Sequence, residues 1–245
     1  TLAVLRAMEG HGVERLVHCS TPSVVFTGEA FEGADEALPY GRNWLCHYAE
    51  SKAMAEQAVL KWGRDGRGRV IALRPHLIWG PGDPHLLPRI IERARSGRLR
   101  IIGDGSNRVD VTRVENAAAA HLLALAALER PSAVNRAYFI SQGEPVNLWS
   151  WVNAVLSAVG VAPLTRRVSL RGAYVAGAVS EFIWKMGGLS SLPPMTRFVA
   201  VELAKSHWYS IDAARRELGY RPEAYPTEEG LSTYADWYLR HRGPA

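Results

Sequence analysis

The sequence has little cysteine: Cys19 and Cys46 are the only two in 245 residues. Two thiols cannot staple a disulfide framework or complete a four-cysteine zinc site. They point to a reducing, cytoplasmic setting. Charge of one sign is also scarce, with 29 Lys+Arg against 24 Asp+Glu and a net charge of +5. The arginines fall in short groups (Arg93, Arg95, Arg98 and Arg100; Arg166 and Arg167; Arg215 and Arg216). None is a basic block of the kind that binds nucleic acid, and solvated helix faces account for most of them. A modest attraction for anionic cofactors, substrates or a lipid surface accounts for the rest. No uninterrupted apolar run reaches the roughly 18 residues of a membrane span. The longest apolar stretch, within 168–189, is broken by Glu181 and Lys185. The histidines show no His-x-x-x-His spacing on a helix, so no metal site is expected. Hydrophobic residues at 47% are ordinary for a folded domain.

What is present alternates between short apolar runs and helical patterns. Leu2, Val4, Leu5 and Met8 have helical spacing and end at Gly10 and Gly12. Arg15–Thr21 reads as a buried strand ending in small polar residues. Residues 28–41, rich in Gly, Glu and Asp, read as a loop. A helix is expected over 48–62, then Gly63, Gly66 and Gly68 break the chain. Val70–Pro75 is a second buried strand, ending at the turn Gly80-Pro-Gly-Asp83. Apolar strands joined by a crossover helix argue for a parallel sheet in an α/β fold. Further on, helices are expected at 87–95, 117–128, 148–159, 211–218 and 227–240. Short strands are expected at 99–103, 109–114 and 137–141. Residues 173–189 form an apolar helix that either packs a small domain or covers a lipid-like substrate or membrane surface.

The chemical signal is Tyr48-Ala-Glu-Ser-Lys52. Residues i and i+4 share a helix face. A phenol titrates near pH 10, and an ammonium one turn away favours the phenolate. Such a pair can serve as a general acid or base on an alcohol or ketone. Ser20 and Thr21 end the preceding strand, where a hydroxyl can orient the substrate oxygen. Leu73-Arg-Pro75 ends the next strand. Ligands on open α/β sheets bind at the carboxyl ends of strands. His76 follows Pro75, and a structural role is the simpler expectation for it.

The combination resembles the extended short-chain dehydrogenase/reductase family of the NAD-dependent epimerase/dehydratase type. The stretches that carry the likeness are Leu16-Val-His-Cys-Ser-Thr-Pro-Ser-Val-Val-Phe26, Tyr48-x-x-x-Lys52, Leu73-Arg-Pro-x-x-Ile-x-Gly-Pro-Gly-Asp83, Gly103–Asp110 and Val114-Glu-Asn116. Within it, Pro194–Phe198 and Ser206–Tyr220 are similar to the 3β-hydroxysteroid dehydrogenase branch, which includes 2-alkyl-3-oxoalkanoate reductases and sterol-4α-carboxylate 3-dehydrogenases.

The resemblance implies a Rossmann-like doubly wound parallel sheet with a smaller C-terminal substrate-binding region. It divides the chain into 1–145, the later part of a dinucleotide-binding domain with substrate-region insertions at about 76–112, and 146–245, mainly substrate-binding. It makes Tyr48 the catalytic acid/base. Lys52 lowers its pKa and binds the nicotinamide ribose, Thr21 is the catalytic hydroxyl, and Pro75 lies by the nicotinamide of NAD or NADP. The reaction implied is interconversion of a secondary alcohol and a ketone on a hydrophobic small molecule. A homodimer through the helix of Tyr48 also follows from the resemblance, and peripheral membrane contact is an alternative use of the apolar segment 173–189. Family members open with a strand and a Gly-x-x-Gly-x-x-Gly turn that this sequence does not contain, so a chain without the first half of the sheet is expected. A nucleotide-sugar epimerase or dehydratase is the alternative enzyme, weakened because Val111 stands where those enzymes carry an aromatic. A non-catalytic remnant is the third reading.

Overall fold

A computed structural model describes all residues except 43, 45, 190, 192 and 243–245. The elements run α1 (Leu2–Gly10), β1 (Arg15–Cys19), β2 (Phe31–Ala34), α2 (His47–Arg64), β3 (Arg69–Pro75), β4 (Ile78–Trp79), α3 (Leu86–Arg95), β5 (Ile101–Ile102), β6 (Arg108–Val109) and β7 (Thr112–Arg113). Then follow α4 (Val114–Ala127), β8 (Arg136–Ile140), β9 (Val146–Asn147), α5 (Leu148–Ala158), β10 (Arg167–Val168), α6 (Leu170–Met186), α7 (Arg197–Glu202), β11 (His207–Tyr209) and α8 (Thr227–Arg242).

The central sheet is parallel, in the order β1-β3-β8. Strand β3 shows why its sequence is continuously apolar. Side chains alternate across a sheet. Val70 and Ala72 face α1 and α2, packing with Leu5, Met8, Val59 and Trp62. Ile71 and Leu73 face α4, packing with Ala120, Ala124 and Tyr138. Both faces are covered, so no position along the strand can be polar without a partner. This is a Rossmann-like α/β arrangement. Strand β1 lies at the edge of the sheet and is only half-buried at its centre.

One charge does sit in β3. Arg74 is 3% exposed and pairs with Glu56 of α2, which is fully buried. Its Nε donates to Glu56 Oε2 at 3.0 Å and its terminal nitrogen to Oε1 at 2.6 Å. The Tyr40 hydroxyl donates to the same carboxylate at 2.6 Å. The guanidinium lies over the rings of Tyr40 and Phe139, at 5.6 and 5.1 Å. Burial alone would raise the Glu56 pKa, but Arg74 outweighs it and holds the carboxyl below its usual value. The pair therefore pins α2 to the sheet.

Residues 28–41 are not all loop. Phe31–Ala34 forms β2 and pairs in parallel with β11. The strand is too short for its own periodicity to announce it, and its partner lies far along the chain. Gly33 sits at φ +71°, and a Cβ there would lie 2.8 Å from the Trp208 ring, so the close approach of the two strands requires glycine. A second core gathers Trp79, Trp149, Trp151, Leu87 and Tyr234 from α3, α5 and α8. Helix α6 divides into two faces. Ala173, Gly177 and Ser180 are buried, with Gly177 so close to the backbone of Thr196 and Arg197 that no Cβ fits. Val175, Val179, Phe182, Ile183 and Met186 are exposed. No helix among the described residues is long and apolar enough to cross a membrane.

Removing one partner of a buried ion pair leaves an uncompensated charge, at a cost of about 3–5 kcal/mol. Urea denaturation of Arg74→Met is expected to show a loss of that size, and Arg15→Ala, which breaks an exposed pair with Glu129, a loss of under about 1 kcal/mol. Equal losses would contradict the assigned role of Arg74.

Candidate active site

The site is assembled at the carboxyl ends of β1 and β3, where the sheet's pairing runs out. Ser20 N donates to Leu73 O at 2.6 Å, the last link between the strands. Thr21 then turns the chain. Its Oγ1 accepts from Ser23 N at 3.3 Å and caps the short 3-10 turn of Pro22–Val24. Helix α2 returns over this end of the sheet with Tyr48, Lys52 and Glu56 at successive i+4 positions on one face. Glu56 is held by Arg74, and that anchor sets the height of the other two.

Lys52 Nζ donates to the Cys19 carbonyl at 2.6 Å. Tyr48 is 56% exposed. Partial desolvation raises its pKa, the Thr21 hydroxyl opposes that, and the charges of Cys19, Glu202 and Cys46 raise it further. The structure thus brings Thr21 to Tyr48 and Lys52 to the end of β1. The ammonium is turned to the Cys19 carbonyl, and Lys52 is not among the largest influences on the Tyr48 phenol. Pro75 ends β3 beside Ile140 of β8, one strand over from Thr21 and outside the groups that act on Tyr48.

Several residues at this end carry no motif. His76 Nδ1 meets Asp110 Oδ1 at 2.8 Å, and Asp110 Oδ2 accepts from Tyr209 N at 3.0 Å. Asp110 thereby ties the end of β3 to β11. The His207 ring lies 5.0 Å from His76. His207 Nδ1 faces the Lys205 carbonyl at 2.8 Å, so that nitrogen carries the proton. Burial and the nearby His76 push His207 down to about 4. Glu202, at the end of α7, is half-buried. Desolvation pushes its carboxyl up to about 7, and its charge reaches Tyr48, Cys46 and Tyr209. A charged residue inside the apolar run Val70–Pro75 was a visible sign that Arg74 needs a partner. Nothing local marks Glu202, because it reaches the site through the packing of α7 on Phe26, whose ring meets Phe198 at 5.8 Å. Among the described residues no cluster of His, Cys, Asp and Glu could hold a metal.

The match to the 3-beta hydroxysteroid dehydrogenase/isomerase family covers residues 1–171. The chain belongs to that family. It is 49% identical over 232 residues to a 2-alkyl-3-oxoalkanoate reductase of Stenotrophomonas maltophilia, covering 93% of this chain and 69% of that one. It is 34% identical over 228 residues to the decarboxylating sterol-4-alpha-carboxylate 3-dehydrogenase of Mus musculus, covering 91% and 63%. A 2-alkyl-3-oxoalkanoate reductase of Shewanella oneidensis is 41% identical, with 93% and 61% covered. The chain thus spans about two thirds of the length of these curated relatives. Among solved structures, a UDP-glucose 4-epimerase of Thermus thermophilus in complex with NAD superposes with a TM-score of 0.68 at 24% identity, over 98% of this chain and 68% of that one. An epimerase of Methanothermobacter thermautotrophicus gives 0.72 at 21%, over 98% and 63%. These two likenesses establish the shared fold.

The two titrating groups at this end of the sheet oppose each other. His207 is depressed on folding, so its contribution is complete above about pH 6.5 and is lost as pH falls toward 4, by about 3 kcal/mol. Glu202 is raised, so the folded state takes up its proton first and gains stability as pH falls through 7. Urea titrations at pH 7.5 and 5 are expected to show a flatter acid loss for His207→Gln and a steeper one for Glu202→Gln. The reverse order would contradict both assignments.

Proposed function

We propose that this member of the family is an NAD(P)-dependent oxidoreductase that interconverts a secondary alcohol and a ketone on a hydrophobic substrate. The 2-alkyl-3-oxoalkanoate type is preferred to the sterol type because of the higher identity to the bacterial reductase. One observation carries the reading. Tyr48, Thr21 and Lys52 converge at the carboxyl end of the parallel sheet, with the phenol accessible and Lys52 fixed to the Cys19 carbonyl.

The nicotinamide dinucleotide, when bound, supplies or accepts the hydride. The residues present fit its nicotinamide-ribose end. An ammonium has three donors. Lys52 gives one to Cys19 O, which leaves two for ribose hydroxyls. Pro75, at the end of β3, would wall the nicotinamide side. Tyr48 holds its proton until a ketone oxygen arrives and then gives it to that oxygen. In the opposite direction the deprotonated Tyr48 Oη takes the proton from the alcohol oxygen while the carbinol carbon gives up the hydride. The Thr21 hydroxyl would orient the substrate oxygen toward Tyr48. Residues 76–112 and 146–245 would supply most of the substrate-binding surface.

General acid–base catalysis is worth typically 10²–10⁴-fold. Tyr48→Phe is expected to reduce turnover of a 2-alkyl-3-oxoalkanoate by at least about 10²-fold. Binding of NADH or NADPH, read by energy transfer from tryptophan, should stay within about two-fold because positioning by Lys52 is untouched. The phenol is more than half exposed, so stability should move by no more than about 0.5 kcal/mol. Wild-type turnover retained in Tyr48→Phe would refute the proposal, and so would a well-folded chain that binds cofactor yet turns over neither substrate type.

A further inference from the structure

A groove of about 540 Å³ lies between the end of α3, β5 and α6. Its volume is in the range of small-molecule sites, about 300–1,000 Å³. One wall is cationic, formed by Arg89 and Arg93 of α3 and by Arg98. The rest of the lining is largely apolar, with Val168, Ala176 and Met195 partly or fully exposed. The turn after α3 creates this division. Arg98 N and Leu99 N both donate to the Arg93 carbonyl, at 2.8 and 3.0 Å, folding residues 96–99 back along the helix. That fold brings Arg98 to the side of the groove where Arg89 and Arg93 stand one helical turn apart.

The guanidiniums are not used by the fold. Arg89, Arg93 and Arg98 make no ion pair with a carboxylate among the described residues. Glu92, the single acidic residue in the lining, is exposed and also unpaired. Arg100 differs, since its guanidinium donates to the Gly97 and Leu99 carbonyls. Three guanidiniums without carboxylates beside an apolar wall are complementary to one class of molecule. A carboxylate matches the donor fork of arginine, and bidentate pairs of this kind are among the stronger polar contacts. An aliphatic chain matches the opposite wall through the hydrophobic effect.

We propose that this groove is a binding site for a free anionic amphiphile, with a carboxylate on Arg93 and Arg98 and an alkyl chain along Val168, Ala176 and Met195. None of Thr21, Tyr48, Lys52 or Pro75 lines it, so the inference stands apart from the reading of Tyr48. The groove and the site are neighbours all the same. Leu203 lines the groove, and the preceding residue, Glu202, places its charge on Tyr48.

Calorimetric titration with laurate, dodecanol and dodecyltrimethylammonium tests the assignment on the full chain without cofactor. Laurate is expected to bind saturably at one site, and the alcohol and the cation at least ten-fold more weakly. Arg93→Ala with Arg98→Ala should weaken laurate at least ten-fold, and so should Arg89→Ala with Arg98→Ala, a pair of exposed positions that serves if the first variant folds poorly. Arg64→Ala with Arg130→Ala, which removes the same charge away from the groove, should leave binding within two-fold. Laurate binding that is absent, or that survives both groove variants, overturns the proposal. Sedimentation with phosphatidylglycerol vesicles in the absence of laurate binding overturns it as well, because the arginines would then be reading a lipid surface.

Discussion

The buried contact between Arg74 and Glu56 is the constraint on which the candidate site depends. A charged pair inside an apolar sheet survives only where its hydrogen bonds offset the cost of taking both charges out of water. Here the carboxylate takes two bonds from one guanidinium and a third from Tyr40, and the guanidinium rests between two aromatic rings. The pair fixes both the rotation of α2 and its height above β3. Lys52 and Tyr48 follow one and two turns earlier on the same face. Their positions over the end of β1 are consequences of an interaction several ångströms deeper in the molecule.

The same end of the sheet contains a second buried polar link. Asp110 receives both the His76 ring and the Tyr209 amide, so the end of β3 is joined to a strand that comes from much later in the chain. Around this link lie Phe26, His207 and Tyr209, packed ring against ring at 5.0–5.6 Å from one another or from His76. Helix α7 is seated on that aromatic layer through Phe198. Its last residue brings a carboxyl of raised pKa toward Tyr48. The pKa of the phenol is therefore shifted by its own desolvation and by residues from the end of β1, the loop after it, the residue before α2 and the end of α7. The lysine one turn away is directed elsewhere.

Helix α6 has two uses for one apolar sequence. Its small residues, Ala173, Gly177 and Ser180, let α7 approach to backbone contact. Its large residues, Phe182, Ile183 and Met186, face outward. Composition alone left a packing helix and a covering surface as alternatives; one face of the helix packs and the other is exposed. The exposed face is distinct from the arginine-lined groove, which touches α6 only at its first two turns.

Local chemistry in the sequence determined the parallel strands β1, β3 and β8, the helices between them, and the placement of Tyr48 and Lys52 on one face of α2. Those features rest on periodicity and i+4 spacing, which are properties of short segments. The likeness of the strand ends to a dehydrogenase family was legible for the same reason. Tertiary structure alone decided the rest. Strand β2 exists because β11 lies beside it, with Gly33 admitting the Trp208 ring. Lys52 is committed to the Cys19 carbonyl because α2 is anchored at Glu56, so its effect on the phenol could not be read from spacing. Glu202 and His207 titrate as they do because distant elements bury them together. Desolvation and long-range charge depend on what surrounds a residue, and no local pattern encodes its surroundings.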